Sequence, residues 1–151
     1  MMPGPVGLSS SDYTALGELR FRIRHFLHFS ESAARQEGLE PQQHQLLLAV
    51  RSLEGAHGPT IGELADHLLI RHHSAVGLID RMEERGLIER VRANDDRRQV
   101  QVRLTALGGE KLERLSVTHR AELRNSGPAL VEALSALLER LDKEQDVSTP
   151  R

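Results

Sequence analysis

Arginine dominates the basic side chains of this 151-residue sequence, since it supplies 18 of the 20 basic residues. Eight arginines lie between Arg71 and Arg103, where six acids leave a net charge of +2, while the rest of the chain carries −4. The planar guanidinium group suits phosphate oxygens and the edge of guanine. A small positive excess is also typical of an ordinary solvated surface, so the elements that carry these arginines must decide between the two interpretations.

Eight histidines raise the question of a metal site or a catalytic site. His25 and His28 are three residues apart on a predicted helix and, with His119, are candidates for a metal-responsive site; solvated surface histidines are the alternative. His72 and His73 are adjacent, so on a helix they point about 100° apart and cannot easily hold one ion. No HExxH, GxSxG or P-loop string occurs, and no convergent acid, base and oxyanion donor can be named. We therefore expect no enzyme, no metal and no cofactor.

The composition excludes several other classes of protein. The absence of cysteine excludes disulfide scaffolds, thiolate metal sites and thiol-based redox sensing. With no Trp, one Tyr and three Phe, a stacking platform for single strands is not expected. No apolar run approaches the roughly 18 residues that span a bilayer, and residues 1–10 lack the basic and apolar parts of a signal peptide. We expect one domain over residues 1–151, soluble and cytoplasmic, with no membrane partner.

Two helices are predicted ahead of the arginine-rich stretch. Residues 9–12 offer several N-caps for the first, and its apolar positions recur at helical spacing until Gly38. Pro41 suits the first turn of the second helix, which is predicted to end at Gly55. Its dense leucine content predicts burial on more than one side.

The next pattern predicts a helix-turn-helix. Thr60 and Glu63 have the spacing of a capping box, in which each side chain bonds the backbone of the other residue. After the corner at Leu69 and Ile70 a second amphipathic pattern runs to Gly86. Two short helices joined by a tight corner form a helix-turn-helix. The predicted apolar stripes are Ile61, Leu64, Ala65 and Leu68 on the first helix, and Ala75, Leu78, Ile79 and Met82 on the second.

The period then changes from helical to alternating. Residues 87–91 are predicted as one strand, and Val100, Val102 and Leu104 mark a second. Residues 93–98 are polar and are predicted to form the turn between them. A two-stranded ribbon directly after the second helix of a helix-turn-helix is a wing, so the fold class is mainly α with a small β-hairpin wing.

The C-terminal third is predicted to be helical and to bind a second copy. Thr105 can cap a fifth helix, which Gly108 and Gly109 weaken by roughly 1 kcal/mol each relative to alanine. Residues 125–127 are predicted to break this helix, and Pro128 to open a last one. A monomer exposing the leucines of that last helix would show a large apolar patch, which favours a homodimer. These leucines are Leu130, Leu134, Leu137 and Leu141.

In these parts the chain resembles the MarR family of bacterial transcriptional regulators, which are winged helix-turn-helix homodimers. The matching strings are residues 61–65, 71–90, 96–98 and 104–108, within a resemblance that extends from Leu16 to Leu141. Two departures are a second glycine after Gly108 and the lack of Pro or Gly near the wing tip. The resemblance implies one MarR-like domain over 1–151, with dimerisation helices at 9–37 and 105–142 and a winged helix-turn-helix lobe at 41–104.

The resemblance implies that the second helix of the helix-turn-helix enters the major groove of DNA. A close helix–helix contact is the alternative for Gly77, and an ion pair with Asp80, Glu83 or Glu84 is the alternative for Arg81 and Arg85. The residues expected to face the groove from this helix are Arg71, His72, His73, Ser74, Gly77 and Arg81.

In the wing, Arg97 or Arg98 is expected to insert into the minor groove, where narrow A·T tracts concentrate negative potential. The resemblance gives Asp96 the supporting role of holding a nearby arginine. A local pair between Asp96 and Arg98 that only stiffens the turn is the alternative.

The sequence thus predicts a homodimeric, sequence-specific regulator of transcription, a repressor, bound to double-stranded DNA. Two-fold symmetry predicts a pseudo-palindromic site with half-sites about one helical turn apart. The resemblance implies release by a small-molecule effector near Arg22, Phe26, Phe29 or His44, with core packing as the alternative role of both phenylalanines. The other functions considered are an effector-independent architectural DNA-binding dimer and a winged helix that binds protein and touches no DNA.

Overall fold

The computed structural model describes residues 7–55, 57–93 and 96–147, without the side chains of residues 93, 96–98 and 147. It is mostly helical with one two-stranded antiparallel hairpin, which confirms the predicted fold class. The elements in chain order are α1 (Ser10–Gln36), α2 (Pro41–Ser52), α3 (Ile61–Leu68), α4 (His72–Glu84), β1 (Ile88–Ala93), β2 (Asp96–Leu104) and α5 (Ala106–Val147). Within the described ranges, no helix is long and apolar enough to cross a membrane.

The chain divides into two compact units. Residues 31–118 form the first, which we call the winged unit because it contains α2, α3, α4 and the hairpin. The described residues of 1–30 and 119–151 form the second, which we call the helical unit. The long helices α1 and α5 each have residues in both units.

The core of the winged unit is built from the apolar stripes that the sequence predicts. Leu64 and Ala65 of α3 are buried, as are all four stripe positions of α4. α2 is buried on more than one side, as predicted, although it ends at Ser52 and not at Gly55. Burying these apolar side chains together drives α3 to pack against α2 and α4, and all three helices to pack against the hairpin. The largest fully buried side chains here include Leu46, Leu47, Val50, Leu78, Ile79, Met82, Leu87, Ile88 and Val102.

The hairpin is longer than predicted. Its antiparallel register pairs Ile88 with Leu104 and continues to Ala93 opposite Asp96, with an irregularity after Arg92. The expectation of a turn over residues 93–98 is therefore wrong, because Ala93 and residues 96–98 lie in the strands. Ladder hydrogen bonds join backbone groups, so pairing can continue through residues with polar side chains. Asn94 and Asp95 lie outside the described residues.

The segment before α3 anchors the hairpin. The Val102 N–H donates to the Pro59 carbonyl at 2.9 Å, and Thr60 forms an isolated bridge with Gln101. Gly58 has φ +83°, and a Cβ there would lie 2.8 Å from the Val102 carbonyl oxygen. Only glycine meets both conditions. This glycine therefore allows a close contact between the backbone before α3 and that of β2.

α5 is one continuous helix of 42 residues, so the predicted break at residues 125–127 is wrong. Pro128 lacks the N–H that would bond the Arg124 carbonyl, but both residues are exposed, so water can hydrate that carbonyl. The predicted start is confirmed, since the Gly108 N–H donates to Thr105 Oγ1 at 3.1 Å.

The predicted glycine stops of α1 and α4 are also confirmed by positive φ at Gly38 (+73°) and Gly86 (+70°).

Candidate nucleic-acid interface

A tight corner between α3 and α4 sets the direction of α4. The predicted capping box is present: the Glu63 N–H donates to Thr60 Oγ1 at 3.2 Å, and the Thr60 N–H donates to Glu63 Oε2 at 2.8 Å. At the other end of α3, Leu69 adopts the left-handed conformation with φ 56°, and the Ile70 N–H bonds back to the Ala65 carbonyl at 3.0 Å. This residue stops α3 and turns the chain into α4.

The first turn of α4 is exposed and contains no acid. Arg71 occupies the N-cap position without a side-chain capping bond, and His72, His73 and Ser74 follow it, all exposed. A helix N-terminus carries partial positive charge from its unpaired N–H groups. The guanidinium group of Arg71 adds a full positive charge beside it, so this turn suits a phosphate backbone.

Gly77 and Arg81 continue the same outward side of α4. A Cβ at Gly77 would meet only Arg81 Nη1, at 3.5 Å, so no close helix–helix contact is found here among the described residues. Arg81 is exposed and makes no ion pair within the described part of the chain. Neither the helix–helix contact considered for Gly77 nor the ion pair considered for Arg81 is found among the described residues. This side of α4 is therefore accessible to DNA.

Arg85 has a different role. Its guanidinium donates to the Gly38 carbonyl at 2.7 Å and to Gln43 Oε1 at 2.8 Å. The Gln43 amide oxygen also accepts from the Glu40 N–H at 3.0 Å, and Gln43 is buried. Arg85 thus bonds the end of α4 to the corner between α1 and α2, and within the described residues it forms no ion pair with an acid of α4.

Sequence reasoning assigned no role to Arg90, the residue that pairs with the acids of α4. Its guanidinium bonds Asp80 Oδ1 and, at 2.9 Å, Glu83 Oε1, while its backbone N–H donates to Glu83 Oε2 at 3.1 Å. Burial lowers the pKa of Arg90, but the Asp80 hydrogen bond and the charges of Glu83 and Asp80 outweigh it and raise the pKa. The spacing of three residues between the two acids was the signal available in the sequence.

The three wing residues singled out by the sequence lie at the start of β2. Asp96, Arg97 and Arg98 belong to this strand, but their side chains are outside the described part of the structure. Contact of these residues with DNA therefore stays a prediction. Among their neighbours with described side chains, Arg92 and Gln99 are exposed.

The candidate effector residues are divided between the two units. In the helical unit, Phe26 and Phe29 both contact the His119 ring edge-on, at 6.1 and 5.6 Å between ring centroids, and His119 Nε2 lies 2.7 Å from the Ser30 hydroxyl. Arg22 pairs with Glu18. His44 is buried in α2 of the winged unit.

The histidines considered for a metal site are not part of a cluster of metal-binding side chains among the described residues. His25 and His28 are exposed on α1. Within the described ranges, no group of three or more histidine, aspartate or glutamate side chains could hold a metal ion.

Comparison with known proteins identifies the group to which this helix-turn-helix and wing belong. A family model described as MarR family matches residues 37–99, the segment that contains α2, α3, α4 and β1. Over this segment the chain is similar to the MarR family. This confirms the resemblance on which the interface was predicted.

Two curated regulators of transcription are also similar to this chain. The chain is 36% identical to the transcriptional activatory protein BadR of Rhodopseudomonas palustris over 89 residues, which cover 58% of this chain and 51% of that protein. It is 29% identical to the HTH-type transcriptional repressor IacR of Pseudomonas putida over 82 residues, 54% of this chain and 49% of that protein. The chain is matched over about half the length of these relatives.

Solved structures of MarR family proteins share the fold. AbsC, a MarR family transcriptional regulator from Streptomyces coelicolor, superposes with a TM-score of 0.72 at 23% identity, covering 93% of this chain and 95% of AbsC. A variant of E. coli MarR complexed with operator DNA superposes with a TM-score of 0.61 at 21% identity, covering 81% of this chain and 89% of that one. At these identities the likeness establishes the fold.

Proposed function

We propose that this chain is a MarR family protein and acts as a homodimeric, sequence-specific regulator of transcription that binds double-stranded DNA. The observation that carries the proposal is the exposed first turn of α4, where Arg71, His72 and His73 lie at the helix N-terminus and the turn itself contains no acid. Such a turn binds phosphate and presents side chains to base edges in the major groove. The operator complex of the E. coli MarR variant, with its similar fold, supports the proposal.

The wing supplies the second contact in this proposal. Arg97 and Arg98 follow the tip of a hairpin that is joined to α4 through Arg90. An arginine carried on a hairpin beside the recognition helix can reach the adjacent minor groove. The predicted function of Asp96 is to hold one of these arginines.

The composition of the helical unit favours a second copy of the chain as its partner. Among its described residues Ala133 is the only buried hydrophobic one, while large apolar side chains of both α1 and α5 are exposed. A unit without a core of its own needs another surface to cover it. The exposed residues are Tyr13, Leu16, Phe21, Ile23 and Leu27 on α1, and Leu123, Val131, Leu134, Leu138 and Leu141 on α5.

Repression by occupying promoter DNA is the mode of regulation we propose, although the curated relatives include both an activator and a repressor. Binding to chromosomal DNA requires a cytoplasmic location, and it requires no catalysis. Release by an effector near Arg22, Phe26, Phe29 or His44 stays a prediction, which titration of small molecules against the protein–DNA complex would test.

Selection of bound duplexes from fragmented genomic DNA tests the proposal. We expect a pseudo-palindromic sequence to be enriched, and binding to the enriched duplex to fall with salt. If a dimer neutralises about eight phosphates, the slope of log K against log salt is near −7. Failure to enrich any sequence, or a slope shallower than about −2, would contradict the proposed docking.

Replacing both wing arginines separates DNA binding from protein binding. In R97A/R98A we expect the affinity for the enriched duplex to fall at least tenfold, because each lost phosphate or minor-groove contact removes about 1 kcal/mol or more. R92A, which removes an exposed arginine from the other strand, is the matched control and should have a smaller effect. Unchanged affinity in R97A/R98A would favour a winged helix that recognises another protein.

A further inference from the structure

The outward side of α4 contains an electrostatic conflict. Asp80 and Glu83 lie on the helix proposed to enter DNA, and their side chains are 53% and 43% exposed. Duplex DNA carries about one negative charge per 1.7 Å of axis, so two carboxylates on this helix would be repelled by it. A recognition helix with these acids needs a cation to neutralise them.

Arg90 is placed to neutralise both carboxylates. In the hairpin register it lies opposite Val102, which is completely buried, so the Arg90 side chain starts from the inner face of the hairpin. From there it pairs with both acids, and only 25% of the side chain is exposed. The backbone N–H of Arg90 also donates to Glu83, so this carboxylate is bonded twice.

We propose that Arg90 is a positioning residue for DNA binding, which neutralises Asp80 and Glu83 and joins the recognition helix to the wing. The inference rests on the proposed function, since it describes how electrostatic repulsion between the same interface and DNA is reduced. Arg81, one residue from Asp80, then remains as an unpaired cation among the described residues of this side. The acids and Arg90 together contribute one negative charge, against two in the absence of Arg90.

This role differs from a contribution to stability. Ion pairs at a surface are typically worth about 0–1 kcal/mol, because solvent screens them and ordering the side chains costs entropy. Unpaired carboxylates beside a phosphate backbone, in contrast, weaken binding in a way that depends on salt. Affinity measured at two salt concentrations therefore distinguishes the two roles.

The test compares variants of the full chain on a labelled duplex recovered by the selection above. For R90Q we expect affinity to fall about five- to tenfold at about 50 mM salt and about twofold or less at about 200 mM, because screening shortens the reach of the exposed carboxylates. Adding D80N, or D80N with E83Q, should restore affinity in the R90Q background. Thermal unfolding followed by circular dichroism checks that each variant is folded.

The matched control removes a carboxylate that does not contact Arg90. Glu89 precedes Arg90 in β1, is exposed, and lies on the opposite face of the hairpin, where it pairs in register with Arg103. R90Q/E89Q has the same net charge as R90Q/D80N, and we expect it to recover little of the lost affinity. Recovery in both double variants would show a general effect of net charge and overturn the proposal.

Two further outcomes are decisive. If the R90Q/D80N/E83Q variant is folded but binds as poorly as R90Q, the arginine acts only as a mechanical link, and neutralisation of the acids is wrong. If R90Q binds as tightly as the unmodified chain at low salt, Arg90 has no part in DNA binding. Absence of binding by the unmodified chain would instead contradict the proposed function, and so the two failures are distinguishable.

Discussion

Gly108 and Gly109 are neighbours in the first turns of α5, but only Gly108 lacks room for a side chain. A Cβ at Gly108 would lie 2.0 Å from the Leu87 carbonyl oxygen, which also accepts the Thr105 N–H at 3.1 Å. At Gly109 the nearest atom would be Arg51 Nη2, at 3.4 Å, the end of a flexible side chain. Two glycines that look equivalent in sequence therefore have different physical constraints.

We accordingly predict opposite effects of alanine at these two positions. G108A should destabilise the protein by about 1–3 kcal/mol, because the start of α5 must move away from the Leu87 backbone. G109A should be neutral or stabilise by up to about 1 kcal/mol, since alanine is a better helix former. Urea unfolding measures both. Equal effects of the two substitutions would contradict the close contact.

Arg81 and Arg85 form a second matched pair, one turn apart on α4. R85A should lower the free energy of unfolding by about 1 kcal/mol, because the Gly38 carbonyl and the Gln43 amide lose a charged donor. R81A should leave stability within about 0.5 kcal/mol and reduce the salt slope of DNA binding by about 1. Denaturant titration and DNA titration in salt measure the two effects. If R81A lowered the free energy of unfolding and R85A did not, the contacts of Arg85 would not contribute to stability.

At the scale of elements, an ion pair joins the two helices of the helical unit. Asp12 near the start of α1 accepts hydrogen bonds from the Ser9 hydroxyl and backbone N–H, at 2.7 Å each, and from Arg140 of α5, at 3.0 and 3.2 Å. The side-chain and backbone hydrogen bonds from Ser9, followed by that from Arg140, lower the pKa of Asp12 from 3.8 to about 2. The folded state therefore favours the ionised carboxylate.

The pH dependence follows from the direction of that shift. Because the pKa of Asp12 is lower in the folded state, its contribution to stability is complete above about pH 4 and is lost as the pH falls towards 2. D12N should lower the Tm at neutral pH, and the difference from the unmodified chain should shrink as the solution is acidified. Thermal unfolding over this pH range measures it. A difference that stays constant down to pH 2 would contradict the contribution of the ionised carboxylate.

At the scale of the whole molecule, the exposed apolar side chains of the helical unit predict that DNA binding depends on association. Leu134 and Leu141 are 44% and 46% exposed. In L134E/L141E we expect a monomer at micromolar concentration and a loss of about a hundredfold in affinity for a pseudo-palindromic duplex, because one copy loses the benefit of two linked half-sites. Sedimentation velocity and DNA titration measure the two effects.

The control for this prediction is a leucine of similar exposure in the winged unit. Leu48 of α2 is 49% exposed, so L48E adds charge without altering the helical unit. It should remain dimeric. If L134E/L141E also stays dimeric, the second copy binds a different surface from the one proposed.

The sequence by itself determined the features whose causes lie within a few residues. The capping box of Thr60 and Glu63, the stop at Gly86 and the core stripes of α3 and α4 follow from local hydrogen bonds and helical periodicity. The change to an alternating pattern likewise predicted the wing, although its polar residues concealed how far the strands extend. Together these local signals were sufficient for the fold class.

Only the tertiary structure decided which partner each charged residue and each glycine has. Arg81 and Arg85 are equivalent by local spacing, but Arg85 bonds Gly38, 47 residues earlier in the chain, and Arg81 has no such neighbour among the described residues. The close approaches at Gly58 and Gly108 similarly join segments distant in sequence. Such contacts depend on how packed elements meet in space. The periodicity of one element predicts which of its own residues are buried, but not which residues of another element they contact.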